Sequence, residues 1–551
     1  MKLKVRNILG LSAVAVILGV GLTACGSKNA NQSNNEVKTQ TLNLAASSRL
    51  DTIDISKAGG YGSTGNVYES FYRLGEKGSI TPGLATKGYS SKDGKTWTFK
   101  LRDAKFSDGS PITAKDFVYS WRRTVTPSTK AQYAYLFNAV QNGDAIRAGK
   151  MNPNKLGIEA VDNHTVKIHL TKPVAYFKTL MAYPLFGPQS EAAVKKYGDK
   201  YGTNSKYMVY SGPFKMINWN GTGDKWSYVK NNQYWDKKVV NLNRINYTLV
   251  SNPSTSLNLY NQGSIDITPL ATDQLKNYQN DPNLKDYSYS MISYLRYNFN
   301  DKDAQKKAII NNDNIRRAIS LAINRSVLSQ KVLYLKSDPI TGFVPKGLAR
   351  DPKTGKDFAD QQGVKDTLNY NPKLAKELWD KGLKELGINK VSLNLLTSNE
   401  NANSTVANQY LKEQLESKLP GLTLSLTSVP SKIASQREQS GDFDISLDTW
   451  GGDFNDPITF LQIPQRGTSY NYGKYNSDKY NELVNQAENV DSNDASKRWQ
   501  DLVNASKELN ITQGVSPLFQ DDTYYLKQPK VQGVIHNTAG TQWNYKYTYI
   551  K

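Results

Sequence analysis

The stretch WGGDFNDP, Trp450 to Pro457, places one carboxylate, Asp453, after an indole and two glycines. Gly451 and Gly452 carry no side chains, so another molecule can approach the backbone closely there. Trp450 offers a flat wall. A carboxylate held at such a wall accepts charge-assisted hydrogen bonds from a cation. The natural small-molecule cation with three donors is an ammonium, and the free end of a peptide is one. The same residues, with Asn455-Asp456-Pro457 behind them, are also good turn formers, and the octet alone leaves both readings open. Acid–base or nucleophilic chemistry finds few parts elsewhere. There are three histidines: His164 and His169 bracket the strand-like VKIHL, and His536 stands alone in GVIHNTAG. No GxSxG, HExxH, GxxxxGK[ST] or clustered metal-ligand pattern occurs. A binding protein is therefore expected rather than an enzyme, with no catalytic residue, metal or cofactor.

The octet must be held by something, and residues 391–450 supply it. VSLNLLTS reads as a strand, 404–418 as a helix ending at Leu419-Pro420-Gly421, LTLSLTSV as a strand, 431–439 as a short helix, and FDISLDTW as a third strand. This alternation implies parallel pairing with right-handed crossovers. Ligands of open α/β sheets bind beyond the carboxyl ends of the strands, which is where the octet falls.

Other segments are legible too. TLNLAA at 41–46, Trp97, Phe99 and Leu101 in KTWTFKL, and VKIHL at 166–170 alternate like strands. Residues 314–334 show helical spacing, with Ile315, Ala318, Ile319, Ala322, Ile323 and Val327. Residues 372–386 follow Asn371-Pro372 and stop at Gly387, with a stripe of Leu374, Leu378, Trp379 and Leu386. At 551 residues the chain is too long for one core.

The N-terminus reads as an address. MKLKVRN is basic, ILGLSAVAVILGVGL is a short apolar run, and Leu22-Thr23-Ala24-Cys25 follows. That is a signal peptide over 1–24 rather than a spanning helix. Residues 25–40 have tether composition. The net charge of +21 becomes +18 without Lys2, Lys4 and Arg6. Such a charge favours anionic surroundings. With this address, and no basic run or recognisable nucleic-acid module, cell-wall polymer or lipid headgroup fits better than nucleic acid.

Several stretches together resemble one family. Leu22 to Cys25 resembles a lipobox. GKTWTFKLRDAKFSDGSPITAKDFVYSWRRTVTP, Gly94 to Pro127, resembles the signature of the extracytoplasmic oligopeptide-binding proteins of ABC importers, solute-binding family five. YSGPFKMINW at 210–219, SYVKNNQYWD at 227–236, RRAISLAINR from Arg316 to Arg325, and WGGDFNDP are similar to further family segments, in the same order.

The resemblance implies an α/β, three-lobed type II periplasmic-binding-protein-like fold, closing about a two-strand hinge with crossings near 290–300 and 513–522. Lobe I would comprise 41–75, 185–292 and 518–551, lobe II 76–184, and lobe III 293–517. It implies that Asp453 receives a peptide ammonium, that Trp450, Gly451 and Gly452 line the same wall, and that Tyr133, with Tyr135 close by, helps hold the peptide. The loop Ser56 to Gly62 would contact ligand at Gly60 or Tyr61. Some members hold the carboxylate of short peptides by an Arg three residues before the Trp. Here Leu447 stands there, followed by Asp448, with Arg437 and Lys432 as substitutes, which points to longer or variable-length peptides. It further implies lipid on Cys25, anchoring at the outer face of a Gram-positive type cell membrane, a permease with ATPase subunits as partners, and a monomer. Another cargo of the same fold (dipeptide, signalling peptide, haem, metal or sugar) is the alternative, with a surface adhesin behind it.

Overall fold

The computed structural model describes residues 39–551 apart from 63, 400, 401 and 469. The expected signal peptide, Cys25 and residues 25–38 of the tether lie outside the described residues. Gln40, expected at the end of the tether, is instead part of the fold. Its amide donates to Ile550 O and accepts from Ile550 N–H, both at 2.9 Å, and its carbonyl accepts from Asn243 N–H at 2.8 Å.

Three sheets carry the architecture. A seven-stranded sheet runs, in spatial order, Leu284–Asp286, Tyr524–Lys527, Ile267–Pro269, Thr41–Ala46, Arg244–Leu249, Lys225–Lys230 and Phe214–Ile217. Thr41–Ala46 and Arg244–Leu249 pair in parallel along their whole length. A four-stranded antiparallel sheet holds Ala85–Ser90, Thr96–Leu101, Thr165–His169 and Ile158–Asp162. The helix Ala114–Val125 turns Phe117 and Trp121 inward, and Thr113 and Asp116 close a capping box at its start.

The five-stranded sheet runs Leu422–Val429, Val391–Ser398, Ile445–Gly451, Met291–Tyr297 and Val515–Gln520. The first three are parallel, as the strand–helix alternation predicts, and Met291–Tyr297 is antiparallel to both its neighbours. Apolar side chains at every second position, such as Leu393, Leu395, Ile445 and Leu447, form its core with Trp379 and Leu411.

One expected helix does not form as drawn. The periodicity of 314–334 is interrupted: Asp313–Ala322 is an α-helix, Ile323 is extended, and Val327–Val332 continues as a wide-turned π-helix. Arg325 explains the break. Its buried guanidinium donates to the carbonyls of Ser320, Leu368 and Pro517, while Asn324 Oδ1 accepts from Val327 N–H. The bond to Ser320 takes a carbonyl that a continuous helix would have used, and the other two tie Arg325 to distant segments. The helix Pro372–Leu386 matches its expected span, capped by Asn371 and ended by Gly387 at φ 67°.

The chain passes between the seven- and five-stranded sheets twice, at 287–290 and 521–523. Thr523 and Tyr287 bond to each other's segment, and Asp521 N–H donates to Met291 O at 3.0 Å. The two crossings thus lie side by side.

Candidate functional site

Asp453 sits two residues past the strand Ile445–Gly451 and is only 7% exposed. Its backbone N–H donates to Thr459 Oγ1 at 3.0 Å, and Trp450 Nε1 donates to Thr459 O at 2.9 Å. The short helix beginning at Ile458 therefore clips the loop into place. Tyr135 Oη donates to Asp453 Oδ2 at 2.6 Å. Among the described residues no lysine, arginine or histidine pairs with this carboxylate. Burial pushes its pKa up to about 6, with the Tyr135 bond pulling the other way.

A shell of tyrosines surrounds it. The Tyr470 ring stands edge-on to Trp450 at 4.8 Å and to Tyr135 at 5.8 Å. The rings of Tyr133 and Tyr183 lie 6.1 Å apart, and Tyr61 packs on Tyr183 at 4.9 Å. Burial first, and then the Asp453 charge, raises the hydroxyls of Tyr133, Tyr135, Tyr289 and Tyr470, so all stay neutral donors. Negatively polarised ring faces and one uncompensated carboxylate together suit an organic cation.

The expected site residues fall into two groups. Asp453, Trp450, Tyr133 and Tyr135 meet in one place. Tyr133 Oη donates to Gly59 O at 3.3 Å, which brings the Ser56–Gly62 loop to the same wall. Gly60 is exposed with open space around its α-carbon, whereas Tyr61 is 1% exposed and hydrogen-bonds Ile55 O, beneath Tyr133 rather than on the surface. A Cβ on Gly451 would meet Tyr289 at 3.0 Å, and one on Gly452 would meet Leu348 at 3.1 Å. Their bareness lets the protein's own side chains close in. Tyr289, on the first crossing, donates to Gly452 O at 2.5 Å and accepts from Gly540 N–H at 3.0 Å.

Leu447 is buried in the sheet core, and Arg437 is engaged with Asp442 at 2.8 Å. The cation that sequence reasoning missed is Arg296. Its guanidinium bonds Asp448 and donates to Tyr294 Oη at 2.6 Å and Tyr470 O at 2.8 Å. Only register could have found it: Arg296 pairs with Ser446 across the sheet, two positions from Asp448.

Backbone is available beside the acid. Ile445–Gly451 is covered by Met291–Tyr297 along one edge throughout, but Val391–Ser398 covers the other edge only at 445–447. From Asp448 to Gly451 no strand among the described residues covers that edge, and Thr449 N–H turns to Asp448 Oδ1 at 2.8 Å. At the carboxyl end of Thr41–Ala46, a cavity of about 310 Å³ is lined by Trp226, Tyr247, Tyr525, Trp543 and Tyr545. Trp543 N–H reaches Gly62 O at 3.3 Å, joining this cavity to the Ser56–Gly62 loop.

The model of the bacterial extracellular solute-binding proteins, family 5, matches residues 79–472. A dipeptide-binding protein of Lactococcus lactis subsp. cremoris is 37% identical, with 100% of both chains covered. Listeria monocytogenes OppA, solved bound to peptide, superposes with a TM-score of 0.80 at 36% identity, over 93% of this chain and 99% of that one. The pheromone receptor PrgZ, whose mode of peptide binding has been solved, gives 0.80 at 35% identity over 93% and 100%. The chain belongs to the bacterial extracellular solute-binding proteins of family 5.

Proposed function

We propose that this protein captures oligopeptides outside the cell and delivers them to an ABC permease. One observation carries the reading: among the described residues Asp453 is a buried carboxylate with no cation paired to it, set at the end of an uncovered strand edge. A buried lone charge is costly unless a partner arrives. A peptide ammonium is that partner, and the peptide main chain pairs with the edge from Gly451 back towards Asp448. Strand addition of this kind reads what all peptides share. The dipeptide-binding relative, the peptide-bound OppA and the pheromone receptor support the same reading.

The peptide lies between the five-stranded and seven-stranded sheets, which belong to two lobes moving about the crossings at 287–290 and 521–523. The four-stranded sheet belongs to a further lobe. Closure removes bulk water from Asp453 and strengthens its ion pair. Cys25 carries the lipid that anchors the chain at the outer face of a single-membrane cell, and the permease and its ATPase subunits supply the energy.

Native mass spectrometry of purified protein, before and after unfolding and refolding, tests the proposal. Species of peptide mass that disappear in Asp453→Ala support it. A clean ligand-free mass that stays unchanged on adding a peptide digest sinks it.

A further inference from the structure

A cavity of about 400 Å³ opens at the carboxyl ends of Val391–Ser398 and Ile445–Gly451. Two carboxylates line it, Asp448 and Glu438, among the hydroxyls of Thr397, Ser431, Ser435 and Thr449. Asp448 is committed to Arg296 and to Tyr294 Oη, which donates at 2.8 Å. Glu438 is 6% exposed and has no ion pair among the described residues. Two carboxylates against one guanidinium leave the cavity negative when both acids are ionised, on a chain that is otherwise strongly basic.

A second, independent observation comes from Thr397. The residue is 1% exposed, it lines the cavity, and its Oγ1 has no hydrogen-bond partner among the described residues. Buried polar atoms are almost always satisfied, so an unpartnered hydroxyl in a cavity wall points to a ligand group.

The cavity's place along the edge fixes what would reach it. It opens at the opposite end of the uncovered edge from Asp453. An antiparallel partner advances one residue for each residue of the strand, so a peptide whose first residue lies level with Gly452, its ammonium against Asp453, brings its fifth residue level with Asp448. Resting on the peptide reading above, we infer that this cavity is a subsite for a basic side chain, lysine or arginine, near the fifth position of the bound peptide. The cationic head bonds Glu438, and a guanidinium or ammonium N–H donates to Thr397 Oγ1. The same charges repel a peptide carboxylate, so chains that end here are disfavoured. Burial, and then the Asp448 charge, pushes Glu438 up to about 7, and an arriving cation favours its ionised form.

Isothermal titration of the full chain with heptapeptides of alanine tests this. One lysine is moved from position 2 to position 7, and a glutamate series and the all-alanine peptide run beside it. Lysine at positions 4 to 6 is expected to bind about tenfold tighter than alanine, and glutamate there about tenfold weaker. Glu438→Gln is expected to flatten the lysine profile, and Thr397→Val to lower its peak. A flat profile in the natural protein, with the all-alanine peptide still bound, overturns the subsite and leaves peptide capture standing. Failure of every peptide to bind overturns both. Should Glu438→Gln not fold, the position dependence in the natural protein decides alone.

Discussion

Tyr135 and Asp453 meet at 2.6 Å although 318 residues separate them in sequence. The bond joins the turn Gln132–Phe137 to the end of the five-stranded sheet, so it spans the two sides that hold the site. Among the described residues a neutral hydroxyl is the side-chain partner of this carboxylate, and it leaves the negative charge uncancelled.

Asp453→Asn keeps the shape and removes the charge. Affinity for peptides with a free amine should fall by about 2–3 kcal/mol, read by calorimetric titration. The ligand-free protein should become more stable at neutral pH, because a desolvated carboxylate no longer has to ionise. A thermal melt reads that gain.

Peptide binding should follow the titration of Asp453. Its folded pKa is raised to about 6. Below that pH the carboxyl is neutral and the ammonium loses its partner, so affinity should drop about tenfold per pH unit, levelling off above it. Peptides acetylated at the amine should show no such slope. For the ligand-free fold the sign is opposite. Stability linked to this group is full below the ordinary carboxylate range and is lost as pH rises through about 6. The difference between melts of the natural protein and Asp453→Asn across pH isolates it.

Tyr135→Phe removes the one hydroxyl that favours the ionised form of Asp453. The midpoint of the pH–affinity curve should therefore move up. An unchanged midpoint would mean that water replaces the hydroxyl fully.

A second set of contacts flanks the same loop. Tyr176 stacks on Phe454 at 4.6 Å, and Arg498 forms paired 2.8 Å bonds with Asp456 while also reaching Glu488. Tyr176→Ala should speed peptide release roughly tenfold with little change in capture rate, measured by stopped flow. Arg498→Ala should cost about 2–4 kcal/mol of stability, since it strands two half-buried acids, and denaturant unfolding reads it.

Much of this was legible because local chemistry and tertiary structure agree. Asn371-Pro372 and Gly387 bound a helix where they should, and alternating Leu393 and Leu395 form a buried strand. Asp453 was visible as an acid in a bare-backbone loop at a strand end. What was not legible is whatever depends on distant partners. Periodicity ran straight through Ile323 because it cannot register that Arg325 takes carbonyls from Ser320, Leu368 and Pro517. The two glycines suggested room for ligand, and the space is filled from afar by Tyr289 and Leu348. Arg296 and Asp448 carry no shared motif, since only the register of two antiparallel strands makes them neighbours.

Gln40 and Ile550 grip each other by two hydrogen bonds. Mechanically, this knots the two ends of the folded body together on the side of the seven-stranded sheet. A tug arriving at Thr39 is passed to Gln40 and shared between the strand Thr41–Ala46 and the chain's last residues. Under the tether proposed above, a pull from the surface is thus divided between both ends of the folded body before it crosses two strands of the sheet to reach 521–523.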